Sequence, residues 1–178
     1  MRFSKTTQCF YPEDFYYPEL PVDIIKVPQE DFDTAMARAT GDTLDVIGGR
    51  VVVIPKPAAT KAELKAAAWE GIKAERDSRK AGGVKVGAKW FHSDDGSRIQ
   101  QMGLVMMGAG IPANLQWKTM DGSFITMTQA VAQSVFSAVA ASDQAIFAVA
   151  EGHRVAMEAS ADPSTYDFST GWPKIYGE

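Results

Sequence analysis

Few side chains in this sequence have the potential for covalent or metal chemistry: Cys9, His92, His153 and a scatter of acids among 178 residues. A cysteine nucleophile needs a base and a third group that orients the base. Cys9 falls in a predicted strand, with no histidine near it in sequence, and reads as a packed small apolar thiol. One cysteine cannot close an intramolecular disulfide, and with two histidines it supplies no four-ligand Cys/His zinc set, so no metal and no cofactor are expected. His153 falls on an apolar helical stripe, as a satisfied core or rim histidine does; His92 ends a strand beside Ser93 and Asp94, where it caps or pairs locally.

Three further patterns resemble chemical motifs and fail on the residues that would do the work. Gly82 to Gly87 has the spacing of a phosphate loop, but Ala88-Lys89-Trp90 follows where Lys and Ser or Thr must meet phosphate and magnesium, and a hairpin fits better. Asp94, Asp95 and Ser97 open like a calcium loop, yet Val105 stands where the closing bidentate Glu is needed. They read instead as a turn and helix N-cap, where acids suit the helix dipole. Paired carboxylates of the glycosidase kind are not decided by sequence, since any two acids can meet in space.

The elements around these residues belong to an ordinary globular chain, 46% apolar, 22% charged and with a formal charge of −4. Its length allows one domain or two small ones with a core that needs no disulfide. The acidic balance, pI about 5.2, argues against nucleic acid as the main partner, because that affinity comes largely from clustered Lys and Arg. No stretch reaches the ~18 uncharged apolar residues of a membrane span, and the start lacks the apolar run of a signal peptide. The expectation is therefore a soluble protein, not membrane-bound, that works where it is made, for which a reducing cytoplasm fits.

Residues 1–57 carry six of the nine prolines, which excludes long helices because each fixes φ and removes a donor. Strands are expected at Arg2 to Cys9, Ile24 to Val27, Thr43 to Val46 and Arg50 to Ile54. The last two flank Ile47-Gly48-Gly49, a hairpin signal, with Leu44 and Val46 opposing Val51 and Val53. A short helix fits Pro28 to Arg38, with Glu30, Asp31 and Asp33 early in it and Phe32 aligned with Ala35 or Met36. The stiff Pro55-Lys56-Pro57-Ala58-Ala59 segment marks a domain boundary. Thr60 and Glu63 then have capping-box spacing for a helix to about Lys80, stopped by Ala81-Gly82-Gly83. Residues 58–82 carry six bases against four acids, while the flanking segments each carry six against nine; a solvated helix face accounts for this.

From Gly82 a unit of hairpin, polar cap and helix occurs twice. The hairpins are Val84-Lys85-Val86 with Lys89 to His92, and Leu115 to Lys118 with Ser123 to Thr126 around Asp121-Gly122. A helix from about Asp94 to Met107 is expected to turn Ile99, Met102 and Met106 one way. The longest helix follows Thr126 or Thr128 and runs to about Ala159, with a possible break at Ser142 and Asp143. The fold class is thus α+β: a small β-rich N-terminal domain (1–57) and a C-terminal domain (58–178) of three or four helices with two β-hairpins.

Binding candidates come from residue type. Met102, Met106, Met107, Met120 and Met127 read as gap-filling core, the other reading being an adaptable partner surface. Phe10 to Pro18 packs five aromatics and two prolines, more than so small a domain easily buries, so it is either core or contact surface. The tail from Asp162 to Pro173 has no periodicity and three large aromatics, and is expected to wrap back onto its own domain. Phe15, Tyr16, Tyr17 and Trp172 are the chosen partner-binding residues.

The opening Met1-Arg2-Phe3-Ser4-Lys5-Thr6-Thr7-Gln8-Cys9-Phe10-Tyr11, with Ile25-Lys26-Val27-Pro28 and an acidic short helix, resembles the start of bacteriophage tail-fibre assembly proteins, though Gln8-Cys9 departs from the Gly-rich pair often found there. The remainder resembles a phage-tail-associated domain of uncharacterised function, through Ile72 to Asp77, Gly82-Gly83, Trp90 to Asp94, Ser97 to Gln100, Trp117 to Gly122 and the long alanine-rich helix. The resemblance implies a chaperone without catalysis that binds the distal, C-terminal region of a tail-fibre protein and assists its folding and trimerisation in the bacterial host cytoplasm. It also implies an alternative, a structural subunit retained at the fibre tip of the virion, and leaves homo-oligomerisation open. A third class, a host-surface hydrolase, would need a deep cleft with paired carboxylates.

Overall fold

The computed structural model describes residues 1–178 and divides into two compact units, Met1–Ala58 and Ala59–Glu178, within a residue of the break expected from Pro55 to Ala59. The fold is α+β, with strands dominating the first unit and helices the second.

In the first unit, β1 (Arg2–Ser4) is the centre of an antiparallel sheet, flanked by β2 (Cys9–Tyr11) and β3 (Ile25–Lys26). The expected single strand from Arg2 to Cys9 is in fact two, because the chain reverses at Lys5 to Gln8. Gln8 takes a left-handed φ of 56°, and its side-chain amide Nε2 donates to the Lys5 carbonyl at 2.8 Å. Helix α1 (Gln29–Met36) follows Pro28, buries Ala35 and leaves Met36 exposed. It packs on the hairpin of β4 (Thr43–Ile47) and β5 (Arg50–Ile54), where Gly48 and Gly49, both at positive φ, make the primed turn that matches strand twist. Phe3, Val27, Ala35, Leu44 and Val51 form the core. Arg50 reaches from β5 to Glu30 and Asp31 at the start of α1, which holds the Asp31 carboxyl below its usual range and fixes the helix against the hairpin.

In the second unit, α2 (Lys61–Ala81) begins with the expected capping box: the Thr60 hydroxyl accepts from the Glu63 amide at 3.2 Å and the Glu63 carboxylate accepts from the Thr60 amide at 2.7 Å. Gly82-Gly83 ends it. Gly83 sits at φ +95°, a conformation that L side chains rarely adopt, with the Met120 side chain and the Phe91 carbonyl close to where a Cβ would stand. Hairpin β6 (Val84–Val86) and β7 (Lys89–Phe91) leads through the N-cap Asp94 into α3 (Asp95–Met107). Hairpin β8 (Gln116–Lys118) and β9 (Phe124–Thr126) leads through the N-cap Thr128 into α4 (Gln129–Ala159). The repeated unit is therefore present. Helix α4 runs unbroken through Ser142 and Asp143, which decides between the one-helix and two-helix alternatives.

Helix α4 is shared by two cores. Its first half, Ala132, Val135 and Val139, packs with Val84, Phe91, Leu104 and Met127; its second half, Ala150 and Met157, packs with Ile72 of α2 and with Trp69, Tyr166, Phe168 and Trp172. The tail wraps as expected, and the Trp172 indole donates to the Phe168 carbonyl at 2.7 Å.

Ile99, Met102 and Met106 share one face of α3 as expected, and that face is turned outward. Ile99 is 66% exposed and Met106 80%, while Gln101 and Leu104 are buried. The cause is polar. Arg98 must reach Asp143 on α4, and the Gln101 amide donates to the His92 carbonyl at 2.7 Å, which together set which face turns inward. Truncation tests this orientation. Leu104→Ala should cost about 2–5 kcal/mol in urea unfolding, whereas Ile99→Ala should change stability by less than about 0.5 kcal/mol. The reverse order would show that Ile99 is the buried residue.

Candidate partner-binding surfaces

The aromatic run from Phe10 to Tyr17 is divided by its own geometry. Phe10 belongs to the core, 4.9 Å from the Phe3 ring and edge-on to Phe32 at 5.0 Å. Tyr17 is half-buried: it stacks edge-on with Tyr11 at 5.1 Å, and the Arg2 guanidinium lies over it at 5.9 Å. Arg2 also donates to the Pro12 carbonyl at 3.0 Å. Phe15 and Tyr16 are left outward, 69% and 85% exposed. The run is therefore part core and part exposed surface, and the anchored rings on either side are what leave two of them outward.

The far end of the same loop is pinned by Asp23. Its carboxylate accepts from the Ser4 hydroxyl at 2.6 Å and the Thr6 amide at 2.7 Å, and these bonds, the Ser4 one foremost, hold its pKa down to about 2. Loop ends fixed in this way reduce the entropy that a partner would otherwise have to remove from Phe15 and Tyr16.

Trp172, the fourth chosen residue, has a different place. It is half-buried against His153 at 5.3 Å between ring centres, and belongs to the cluster of Ile72, Ala150 and Met157. His153 is satisfied on both sides, by the Tyr166 hydroxyl and the Thr170 carbonyl, each at 2.9 Å. Trp172 thus anchors the tail to α4 and does not project from the surface. Cys9 is exposed, contrary to its expected burial, and its thiol donates to the Thr7 carbonyl.

The second unit carries its own exposed apolar surface. A groove of about 330 Å³ between α3 and α4 is lined by Ile99, Met102, Phe136, Val139 and Ala140, with the Arg98 and Asp143 pair at its edge. Of the five clustered methionines, Met127 is buried and Met102, Met106 and Met107 are exposed, so the gap-filling expectation is overturned for these three. The sequence signal that could have found this surface is the absence of any charge from Ile99 to Trp117 and from Gly122 to Ser142.

A cleft between the end of α2 and the start of α3 gathers Asp77, Asp94 and Asp95 with Lys80 and Arg98. Two of the three acids there are engaged. Asp77 is held below its usual pKa by Arg76, and Asp94 by the Ser97 hydroxyl and amide of the helix cap, the opposite of the raised value a general acid requires. No group of three or more His, Cys, Asp or Glu side chains converges as a metal site, and no helix is long and apolar enough to cross a membrane.

Residues 63–170, from the first turn of α2 to the tail, match a domain of unknown function, DUF4376. The chain belongs to this family. No curated protein and no solved structure matches it. The DUF4376 match takes in both hairpin-cap-helix units, the α3/α4 groove and the tail aromatics Tyr166 and Phe168, whereas Phe15, Tyr16 and Tyr17 precede it.

The Asp23 pin gives a pH dependence. A folded pKa of about 2, below the ordinary ~4 of an aspartate, means its stabilisation is complete above about pH 4 and disappears as the pH falls toward 2. The Asp23→Asn variant should therefore melt below the parent at neutral pH, followed at the Thr6 and Phe3 amides by NMR, and the gap should close across that acid window. A gap that does not change with pH would show that the carboxylate charge does not hold this loop.

Proposed function

We propose that the protein is an assembly chaperone for a bacteriophage tail fibre, binding the distal part of the fibre protein and assisting its folding and trimerisation without making or breaking covalent bonds. The observation that carries this reading is the outward display of Phe15 and Tyr16 on a loop fixed by Arg2 at one end and Asp23 at the other. Rigid aromatic side chains give large contact area at low entropic cost, and tyrosine is among the residue types enriched at binding hot spots. The resemblance of residues 1–28 to tail-fibre assembly proteins supplies the class of client. Its physical logic is consistent: fibrous β-proteins built from non-local strand pairing fold slowly and expose edges that aggregate, so a helper that covers them favours the trimer. On this reading the protein works in the host cytoplasm during assembly. Tyr17 and Trp172 contribute as supports, Tyr17 beneath the displayed rings and Trp172 within the tail.

Co-expression with a phage tail-fibre protein, followed by affinity capture of the fibre, tests the reading. The double variant Phe15→Ala, Tyr16→Ala should fold as the parent does and lower fibre co-purification by about tenfold or more, the loss expected for a hot spot of ~1.4 kcal/mol. Equal capture, together with equal yield of soluble trimer when this chain is omitted, would remove the assignment.

A further inference from the structure

The loop that displays Phe15 and Tyr16 has an unbalanced charge. Between Lys5 and Lys26 the sequence holds four acids, Glu13, Asp14, Glu19 and Asp23, and no Lys or Arg. Two of the four are answered within the first unit. Glu13 accepts from the Met1 ammonium at 3.2 Å and lies in the field of Lys26 and Arg2, and Asp23 is taken up by the Ser4 hydroxyl and the Thr6 amide that pin the loop. Asp14 and Glu19 are exposed and make no ion pair or hydrogen bond. They bracket the outward rings in sequence, Asp14 directly before Phe15 and Glu19 two places after Tyr17.

The rings are open to the same kind of partner. An aromatic face carries negative potential and attracts a guanidinium or an ammonium. The loop already uses this attraction once: Arg2 lies over Tyr17 at 5.9 Å while donating to the Pro12 carbonyl at 3.0 Å. Phe15 and Tyr16 have no such cation, and every other ring that has one belongs to the second unit.

We infer that the polypeptide surface met by this loop is basic, with arginine side chains that lie on Phe15 and Tyr16 and pair with Asp14 and Glu19. The inference rests on the reading of this loop as the client contact and adds the chemistry of what it contacts. Arginine fits the combination better than lysine, because its planar guanidinium stacks on a ring and keeps N–H groups at its edge for a carboxylate. Other occupants leave part of the loop unused or opposed. A purely apolar partner would desolvate Asp14 and Glu19 without pairing them, and an anionic one, such as nucleic acid or acidic lipid, would be repelled. A second copy of the loop brings the same unanswered acids.

Rim charges and central rings act on different rates. Acids at the edge of a contact speed encounter with a basic partner and are screened by salt, whereas the rings hold the complex once it has formed. Kinetics therefore separates them. With a phage tail-fibre protein immobilised and the full chain in solution, Asp14→Asn with Glu19→Gln should slow association about fivefold at ~50 mM NaCl and leave dissociation nearly unchanged. It should also remove most of the loss of affinity that the parent shows on going to ~300 mM. Glu70→Gln with Glu158→Gln removes the same charge from ion pairs on α2 and α4, and should leave association within about twofold of the parent. Asp14 and Glu19 have no partners within the fold, so the variant should melt with the parent.

A second arm needs no fibre. A short arginine-containing peptide is titrated into the full chain beside the same peptide carrying lysine, or citrulline, which keeps the shape of arginine and lacks its charge. The aromatic proton shifts of Phe15 and Tyr16 should move most with arginine, less with lysine and least with citrulline. Association indifferent to loss of Asp14 and Glu19, or ring shifts equal for arginine and citrulline, would overturn the inference. The chaperone reading would survive that result if Phe15→Ala, Tyr16→Ala still lowers fibre capture. A fibre that does not bind the parent chain would instead remove the chaperone reading, and the peptide titration would then decide by itself whether the loop recognises arginine.

Discussion

The second unit depends on what happens at the last turn of α2. A helix end leaves carbonyls without partners and a partial negative charge, and here the Lys80 carbonyl receives both the buried Ser93 hydroxyl at 2.6 Å and an Arg98 N–H at 2.9 Å. Ser93 in turn accepts from the Gly83 amide at 2.9 Å, so one hydroxyl ties the end of α2 to the turn that starts the first hairpin. Arg98 also bonds the Ser93 carbonyl and grips Asp143 with two parallel bonds. Three helices and a hairpin therefore meet on one guanidinium and one hydroxyl. Such a junction fixes direction as well as adding stability, because a planar donor fork satisfies its partners only in one orientation.

From this junction the arrangement of the remaining elements follows. With Asp143 near the middle of α4 tied to the start of α3, α3 runs back along the first half of α4, and Gly108 at its end lies near Gln129 at the start of α4. The second half of α4 is left to α2 and to the tail, where Ile72, Met157 and the aromatics Trp69, Tyr166, Phe168 and Trp172 close a separate core. A long alanine-rich helix has little side-chain area of its own to bury, and its stability comes from neighbours along its length. The tail is one of those neighbours, which explains why a segment without periodicity carries three large aromatic residues.

Much of this was legible in the chain because it rests on local chemistry. The Gly48-Gly49 hairpin, the Thr60 and Glu63 capping box, the Asp94 and Thr128 caps, the repeated hairpin-cap-helix unit and the boundary after Pro57 each depend on residues within a few positions of one another. What was not legible depends on distant partners. Arg98 and Asp143 are far apart in sequence, so nothing local announced that Asp143 is neutralised in a continuous helix, or that α3 would turn Ile99 outward to let Arg98 reach it. The hydrophobic stride of Ile99, Met102 and Met106 is real, yet a buried Gln101 bonded to a carbonyl outweighs it. The turn that splits the first expected strand is hidden for a different reason: Gln8 adopts a left-handed φ that sequence assigns by default to glycine or asparagine, and its side chain satisfies the Lys5 carbonyl that the turn exposes. For the aromatic run, composition alone could not divide core from surface, because the division is made by Phe3, Phe32 and Arg2 and not by the run itself.

An exposed apolar surface has to meet two demands: it must not drive aggregation, and its side chains must stay ordered enough to bind. The two exposed surfaces here meet these demands by different physical means. In the first unit, Phe15 and Tyr16 are two rings on a short loop, flanked by Glu13, Asp14 and Glu19, and their display is fixed by aromatic and polar contacts underneath. Neighbouring acids oppose association of such loops with one another while leaving the rings available to a partner of other charge. In the second unit, Ile99, Met102, Met106 and Phe136 form a broader face on two helices, ordered by the helices themselves and without charge to oppose its own copy. By this reasoning the loop owes its order to contacts beneath it, and the helical face owes its order to the hydrogen bonds and packing of its own helices.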